Sequence, residues 1–240
     1  MKSKLSSNPT NVLKFLISIT ASLVIINTLI QFLIYTFGYE EEWFLLFNMD
    51  KEVNIPTLFS CSLLLISAGL ISLVIRKISQ KDYIIKNKWN TLKWLFVFLA
   101  FDEGLQIHEL FIIPSLKPIL PAILTIVWVI PYGVLVLVAT IYFYPLIFKL
   151  PTKIKYLTII SGLIYLSGAL GLEMIGSYLV RTSQIRLHGI SYGLISTLEE
   201  TFEMVGLIIF IYSLMMLVFG YQNQKLKINF RLSSIGNQRN

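Results

Sequence analysis

One cysteine, Cys61, and two histidines, His108 and His188, are all the thiol and imidazole groups in the 240-residue chain. A lone thiol excludes an intrachain disulfide and cannot build a thiolate metal site by itself. Inside an apolar run it reads as a small packing residue. Charge is also scarce: 14% of residues are Asp, Glu, Lys or Arg, where a soluble domain carries about a quarter. No glycine-rich phosphate loop, dinucleotide fingerprint, fixed-period repeat or extended polar segment interrupts the sequence. A soluble nucleotide-binding domain and a disulfide-stapled secreted fold are thereby excluded.

What fills the chain instead is hydrocarbon. Hydrophobic residues make up 55% of it, and the mean hydropathy is +0.73. Crossing about 30 Å of bilayer core takes roughly 20 helical residues. Apolar runs of that length occur at Val12 to Phe37, Ile55 to Ile75, Ile119 to Phe148, Tyr156 to Val180 and Ile190 to Gly220. A sixth, Thr91 to Ile113, carries acids in its second half. The expected fold is an all-α bundle of six transmembrane helices over residues 1–220, followed by a basic tail at 221–240. The first run is too long for a signal-peptide core and lacks a small-residue cleavage site after it, so it is expected to be retained.

The net charge of +7 raises nucleic acid as a partner, but the placement of the positive residues argues for a membrane. With six crossings, all Lys and Arg except Lys51, Lys117, Arg181 and Arg186 fall on one side. Positive loops stay cytoplasmic, which predicts N-in and C-in topology in the plasma membrane. The same rule supports a crossing by 91–113: without it, Lys149, Lys153 and Lys155 would move outside. Trp89 and Trp94 are then expected at the inner interface and Trp43 at the outer one. No nucleic-acid-binding module accompanies the basic tail, whose expected partner is anionic lipid.

The acids sort more sharply than the bases. Glu40, Glu41, Glu42, Asp50 and Glu52 fall in the first outer loop and Asp82 in a cytoplasmic one. Asp102, Glu103 and Glu109 lie in the third expected helix, Glu173 in the fifth, and Glu199, Glu200 and Glu203 in the sixth, all in the outer half. On a continuous helix, Asp102, Gln106 and Glu109 form one stripe, with His108 farther round. Glu173 lies among Gly168, Gly171, Gly176 and Ser177, small residues that admit a close neighbour. The alternative is that the second half of Phe98 to Leu110 is a re-entrant outer loop, with its acids in water.

A charge near the bilayer centre costs about 2.5–3.5 kcal/mol on insertion scales, so seven carboxylates require protons, bound cations or water. Carboxylates with one imidazole suit a divalent ion such as Zn, Mn, Fe, Ca or Mg. The expected ligands are Asp102, Glu103, His108, Glu109, Glu173, Glu199, Glu200 and Glu203. The di-iron pattern of paired Glu-x-x-His motifs is missing. His108, Glu109 and Glu200 are the expected proton-transferring groups. His188 reads as interfacial, Asn27 and Gln31 as interhelical glue, and Pro131 as a helix kink.

The segments DExxxxHE (Asp102 to Glu109), GLExxG (Gly171 to Gly176) and EETFEM (Glu199 to Met204) resemble those of a group of uncharacterised bacterial multipass membrane proteins, some labelled as transporters. The resemblance covers most of the chain and implies no established activity. Three classes of function are open. One is a metal-dependent membrane enzyme acting on a lipid or lipid-proximal substrate. The second is a cation or proton transporter or channel that uses the same acids. The third is a sensor or assembly subunit stabilised by metal. The inner stretches at 94–101, 158–172 and 204–220 carry no ionisable group except tyrosine, and no inverted repeat is visible. Both features favour the enzyme.

Overall fold

The computed structural model describes residues 8–39, 41–51, 53–111, 120–124, 128–187 and 189–219, with only the backbone for Lys81, Glu109, Phe111 and Ile123. The expectations for Glu40, Glu52, Lys117, His188, the Glu109 side chain and the tail at 221–240 lie outside the described residues. Those residues are helical, without strands, and five helices are long and apolar enough to cross a membrane.

Helix α1 (Pro9–Phe37) begins where the Asn8 side chain accepts from Thr10 N–H at 3.1 Å, with Pro9 in the first turn, where its missing donor is harmless. It ends at Gly38, whose φ of 69° is left-handed. Its buried residues, Leu16, Thr20, Leu23, Asn27, Ile30 and Gln31, recur at helical spacing and form one stripe. The exposed side is the apolar one, with Phe15, Ile25, Leu29 and Phe32 outermost. That inversion of the soluble pattern suits hydrocarbon as the surrounding solvent. Ser18, Ser22 and Thr28 return their hydroxyls to the carbonyl four residues back, which keeps them satisfied on this face.

Helix α2 (Ile55–Lys77) is capped by Asn54, whose Oδ1 accepts from Thr57 N–H at 2.9 Å. It packs along α3 (Tyr83–Leu105). Helix α4 (Val129–Phe148) follows, then α5 (Thr152–Leu166), which continues through a π-helical turn at Ser167–Leu172 into α6 (Glu173–Arg181). Helix α7 (Ile190–Phe219) is the hub, packed against α1, α2, α5 and α6 and buried over most of its length. Met204, Ile208, Ile211 and Leu214 are almost wholly enclosed there. Glycines set the closest approaches. A Cβ on Gly206 would lie 2.8 Å from Tyr165 backbone N, and one on Gly168 would lie 2.6 Å from Glu199 O. Gly171, by contrast, meets only Leu166 O at 3.9 Å and contributes no interhelical contact at that range.

By contrast, α4 is held sparsely, by contacts with α3 and α5. Pro131 stands in its first turn, where proline is tolerated, and is not the expected mid-helix kink; Pro145 is the internal proline. Trp94 and Trp43 are exposed, whereas Trp89 is buried at 5% exposure in a cluster with Ile71, Phe143 and Leu214.

Candidate functional site

The expected third helix is shifted. It begins at Tyr83 and stops at Leu105, because Gln106 adopts a left-handed conformation, φ 56°. Its N–H caps the Asp102 carbonyl. The chain then turns into a 3-10 segment, Ile107–Phe111. Asp102, Gln106 and Glu109 therefore do not continue one α-helical stripe. The reversal carries His108 back over the last turn of α3.

Asp102 organises that reversal. Its Oδ1 accepts from the His108 backbone N–H at 2.8 Å and from the Tyr132 hydroxyl of α4 at 2.8 Å, while His108 Nδ1 stands 3.5 Å away. The residue is only 5% exposed, so these donors stand in for the water that burial removes. The His108 ring packs 5.0 Å from Trp128 and 6.3 Å from Tyr132, centroid to centroid, and Trp128 meets Tyr132 edge-on at 5.2 Å. An imidazole, an indole and a phenol thus form one corner beside a carboxylate.

The second wall comes from α5, α6 and α7. The π turn just before Glu173 and the clearance at Gly168 bring α6 against α7, and Glu173 lies within hydrogen-bonding reach of Glu199. Roughly one turn farther along α7, Glu203 lies beside Tyr165 and faces Glu103 and Glu200. Cys61 of α2 donates to Ala100 O at 3.4 Å and lies near Glu103 and Glu200.

These side chains surround two adjoining spaces. The first is a chamber of about 360 Å³ between α4 and the α3, α5 and α7 helices. Its wall carries Asp102, Glu103, His108, Glu173, Glu199, Glu200 and Glu203 at one end, and then becomes apolar through Phe96, Leu99, Phe143 and Leu146 to Trp89 and Leu150. The second is a vestibule of about 630 Å³ lined by Leu45, Met49, Asp50, Lys51, Gln106, Tyr192 and Ser196 among others. His108, Trp128, Glu173, Glu199 and Glu200 line both spaces. Among the described residues, no Lys or Arg lines the chamber.

The vestibule roof is tied down by a polar network. Asn27 Nδ2 donates to Thr197 Oγ1 at 2.7 Å, Asn27 Oδ1 accepts from Met49 N–H at 2.9 Å and Gln31 Nε2 at 3.3 Å, and Ser196 Oγ donates to Met49 O at 3.1 Å. The expected helix-joining role of Asn27 is present, with the addition that it anchors a loop.

Of the expected site residues, Asp102, Glu103, His108, Glu173, Glu199, Glu200 and Glu203 share one cavity wall. The Glu109 side chain is outside the described residues. The carboxylates are spread along that wall: among the described residues, no three His, Cys, Asp or Glu side chains converge closely enough to hold a metal ion. Tyr132, Trp128, Tyr165 and Tyr192 were not expected here. Nothing local in the sequence marks them, because their partners lie on other helices.

A family model described as a domain of unknown function, DUF8692, matches residues 16–218. The chain belongs to that family. The matched span runs from within α1 to the last turn of α7, so the family's shared region contains every wall of the chamber. No curated protein and no solved structure matches the chain.

Proposed function

We propose that this protein is a six-span enzyme of the cytoplasmic membrane, with both termini inside, that performs proton-transfer chemistry on the polar end of a lipid or lipid-proximal molecule. The observation that carries the reading is the position of His108, at the junction of the chamber and the vestibule, with Nδ1 3.5 Å from a buried carboxylate. A carboxylate beside an imidazole orients the ring and stabilises its cationic form, the arrangement of a general acid–base. Tyr132 holds Asp102 in turn. Glu173 and Glu199, within reach of each other, are the second place where a proton can be stored.

The sixth crossing is α3. Its 23 residues span about 34 Å at helical rise, enough for the hydrocarbon core. The meeting of its acidic end with the acids of α7 supports placing residues 105–128 on the same side as 38–54 and 182–189. The positive loops then lie in the cytoplasm.

Carboxylates with an imidazole are also donors for a divalent ion, and Zn, Mn, Fe, Ca or Mg would find oxygen ligands in Glu103, Glu173, Glu199, Glu200 and Glu203. The glutamates would have to converge from their present places to bind one, so no step is assigned to a metal. The cation or proton transporter has one observation in its favour, the row of acids common to both spaces. Beyond them the chamber wall is largely apolar, with Thr140, Thr158 and Ser161 as its hydroxyls apart from Tyr165, which favours a site over a pathway.

The test is to reconstitute the protein in membrane lipid extract and follow lipid masses. The parent should convert one lipid species, and His108→Gln and Asp102→Asn should slow the conversion by about 100-fold or more. Unchanged lipids would remove the enzyme reading, as would cation or proton flux into sealed liposomes that Glu203→Gln abolishes. Elemental analysis of protein purified without chelator decides the metal: stoichiometric metal that Glu173→Gln releases would add it to the site.

A further inference from the structure

We infer that the chamber holds a single hydrocarbon chain whose positively charged head group sits at its acidic end, between Glu173, Glu199 and the ring faces of Trp128 and Tyr132. The inference rests on the proposed site for its position and adds the class of molecule that enters. The starting point is the chamber's shape. Its wall extends along α3 from Asp102 to Trp89, about 20 Å at helical rise, so it is long. It is also narrow. Its volume of about 360 Å³ lies near the lower end of ligand pockets, about 300–1,000 Å³. One extended alkyl chain fits such a space.

The long part of the wall is apolar, with Leu92, Leu99, Ala139 and Leu146 among its side chains, so the chain is the part that belongs there. The sparse packing of α4 against α3 and α5 leaves this space beside α4 and gives a chain a route from the bilayer.

The head group follows from complementarity. Carboxylates crowd the end shared with the vestibule, and among the described residues no Lys or Arg lines the chamber and Lys51 alone of the positive side chains lines the vestibule. An anionic head would meet like charge, and a neutral one would forgo the attraction of the acidic end. A cation meets both the carboxylates and the edge-on Trp128 and Tyr132 pair, 5.2 Å apart, whose ring faces attract ammonium groups.

The experiment uses the full chain in nanodiscs of neutral lipid, with Trp43 and Trp94 replaced by Phe, and dodecyltrimethylammonium brominated at its chain end as the probe. Bromine deep in the chamber should quench tryptophan emission saturably. Dodecanol and dodecanoate should compete at least tenfold more weakly than the unbrominated amine. Glu199→Gln should weaken binding by at least tenfold. Gly162→Leu should abolish it, since a side chain there projects from the chamber wall into open space without touching the acids. Quenching that never saturates, equal competition by the neutral or anionic chain, or unchanged binding in either variant would overturn the inference. Binding is read without turnover. A protein that takes the amine but converts no lipid would overturn the acid–base reading and leave this one standing, and the reverse outcome separates them equally well.

Discussion

Tyr132, near the start of α4, donates its hydroxyl to Asp102, near the end of α3, across 2.8 Å. This bond joins the most loosely held helix to the carboxylate that fixes His108. Tyr132→Phe should leave a buried acceptor short of one donor, a loss of about 1–3 kcal/mol. Thermal unfolding in nanodiscs should show the lower stability, and lipid conversion should fall with it. An unchanged melting profile would mean that the bond contributes little to holding α4.

Asn27→Leu tests the vestibule roof. The substitution leaves Met49 N–H without its partner, a loss of about 1–3 kcal/mol, while Thr197 keeps its bond to Gly193 O. The expected outcome is faster proteolysis within residues 42–50 while α1 and α7 stay protected. Equal protection of the loop in parent and variant would show that Asn27 is not its anchor.

Two glycines on one helical rod should respond with opposite sign. Gly168→Ala puts a Cβ 2.6 Å from Glu199 O, and such overpacking destabilises by about 1–3 kcal/mol. It should also move Glu173 away from Glu199. Gly162→Ala meets nothing within 4 Å and should stabilise by up to about 1 kcal/mol through helix propensity. Unfolding midpoints of the two variants, compared in one lipid, measure both.

Orientation has a direct readout. In a Cys61→Ser background, cysteine at Lys51 should react with an impermeant thiol reagent in intact cells, and cysteine at Lys153 should react only after lysis. Labelling of the Lys153 position from outside would reverse the topology.

The fall of α3 at Gln106 marks how far the sequence could be read. The helices around it were legible because length and hydropathy are local properties: twenty apolar residues need a helix in hydrocarbon whatever surrounds them. The gathering of Asp102, Glu103, Glu173, Glu199, Glu200 and Glu203 was legible for a related reason, since acids at one depth of a bundle have few places to go except its interior. The turn at Gln106 was hidden because a non-glycine residue adopts positive φ only when its surroundings compensate, and here the compensation includes Tyr132, thirty residues beyond Asp102. The burial of Trp89 escaped for the same kind of reason: an indole near a helix end fits the interface or a pocket equally, and Phe143 and Leu214 of other helices decide between them.

By itself, then, the sequence determined the class of protein, the long apolar helices and the identity of the side chains that need compensation among them. These follow from composition and spacing, which a bilayer reads one segment at a time. Only the tertiary structure decided that His108 sits against Asp102 outside the helix, that the carboxylates spread along a wall without converging at a point, and that α4 stands apart far enough to leave a chamber. Each of those outcomes depends on contacts between helices distant in the chain, where a hydroxyl, a missing Cβ or a reversed turn sets the distance.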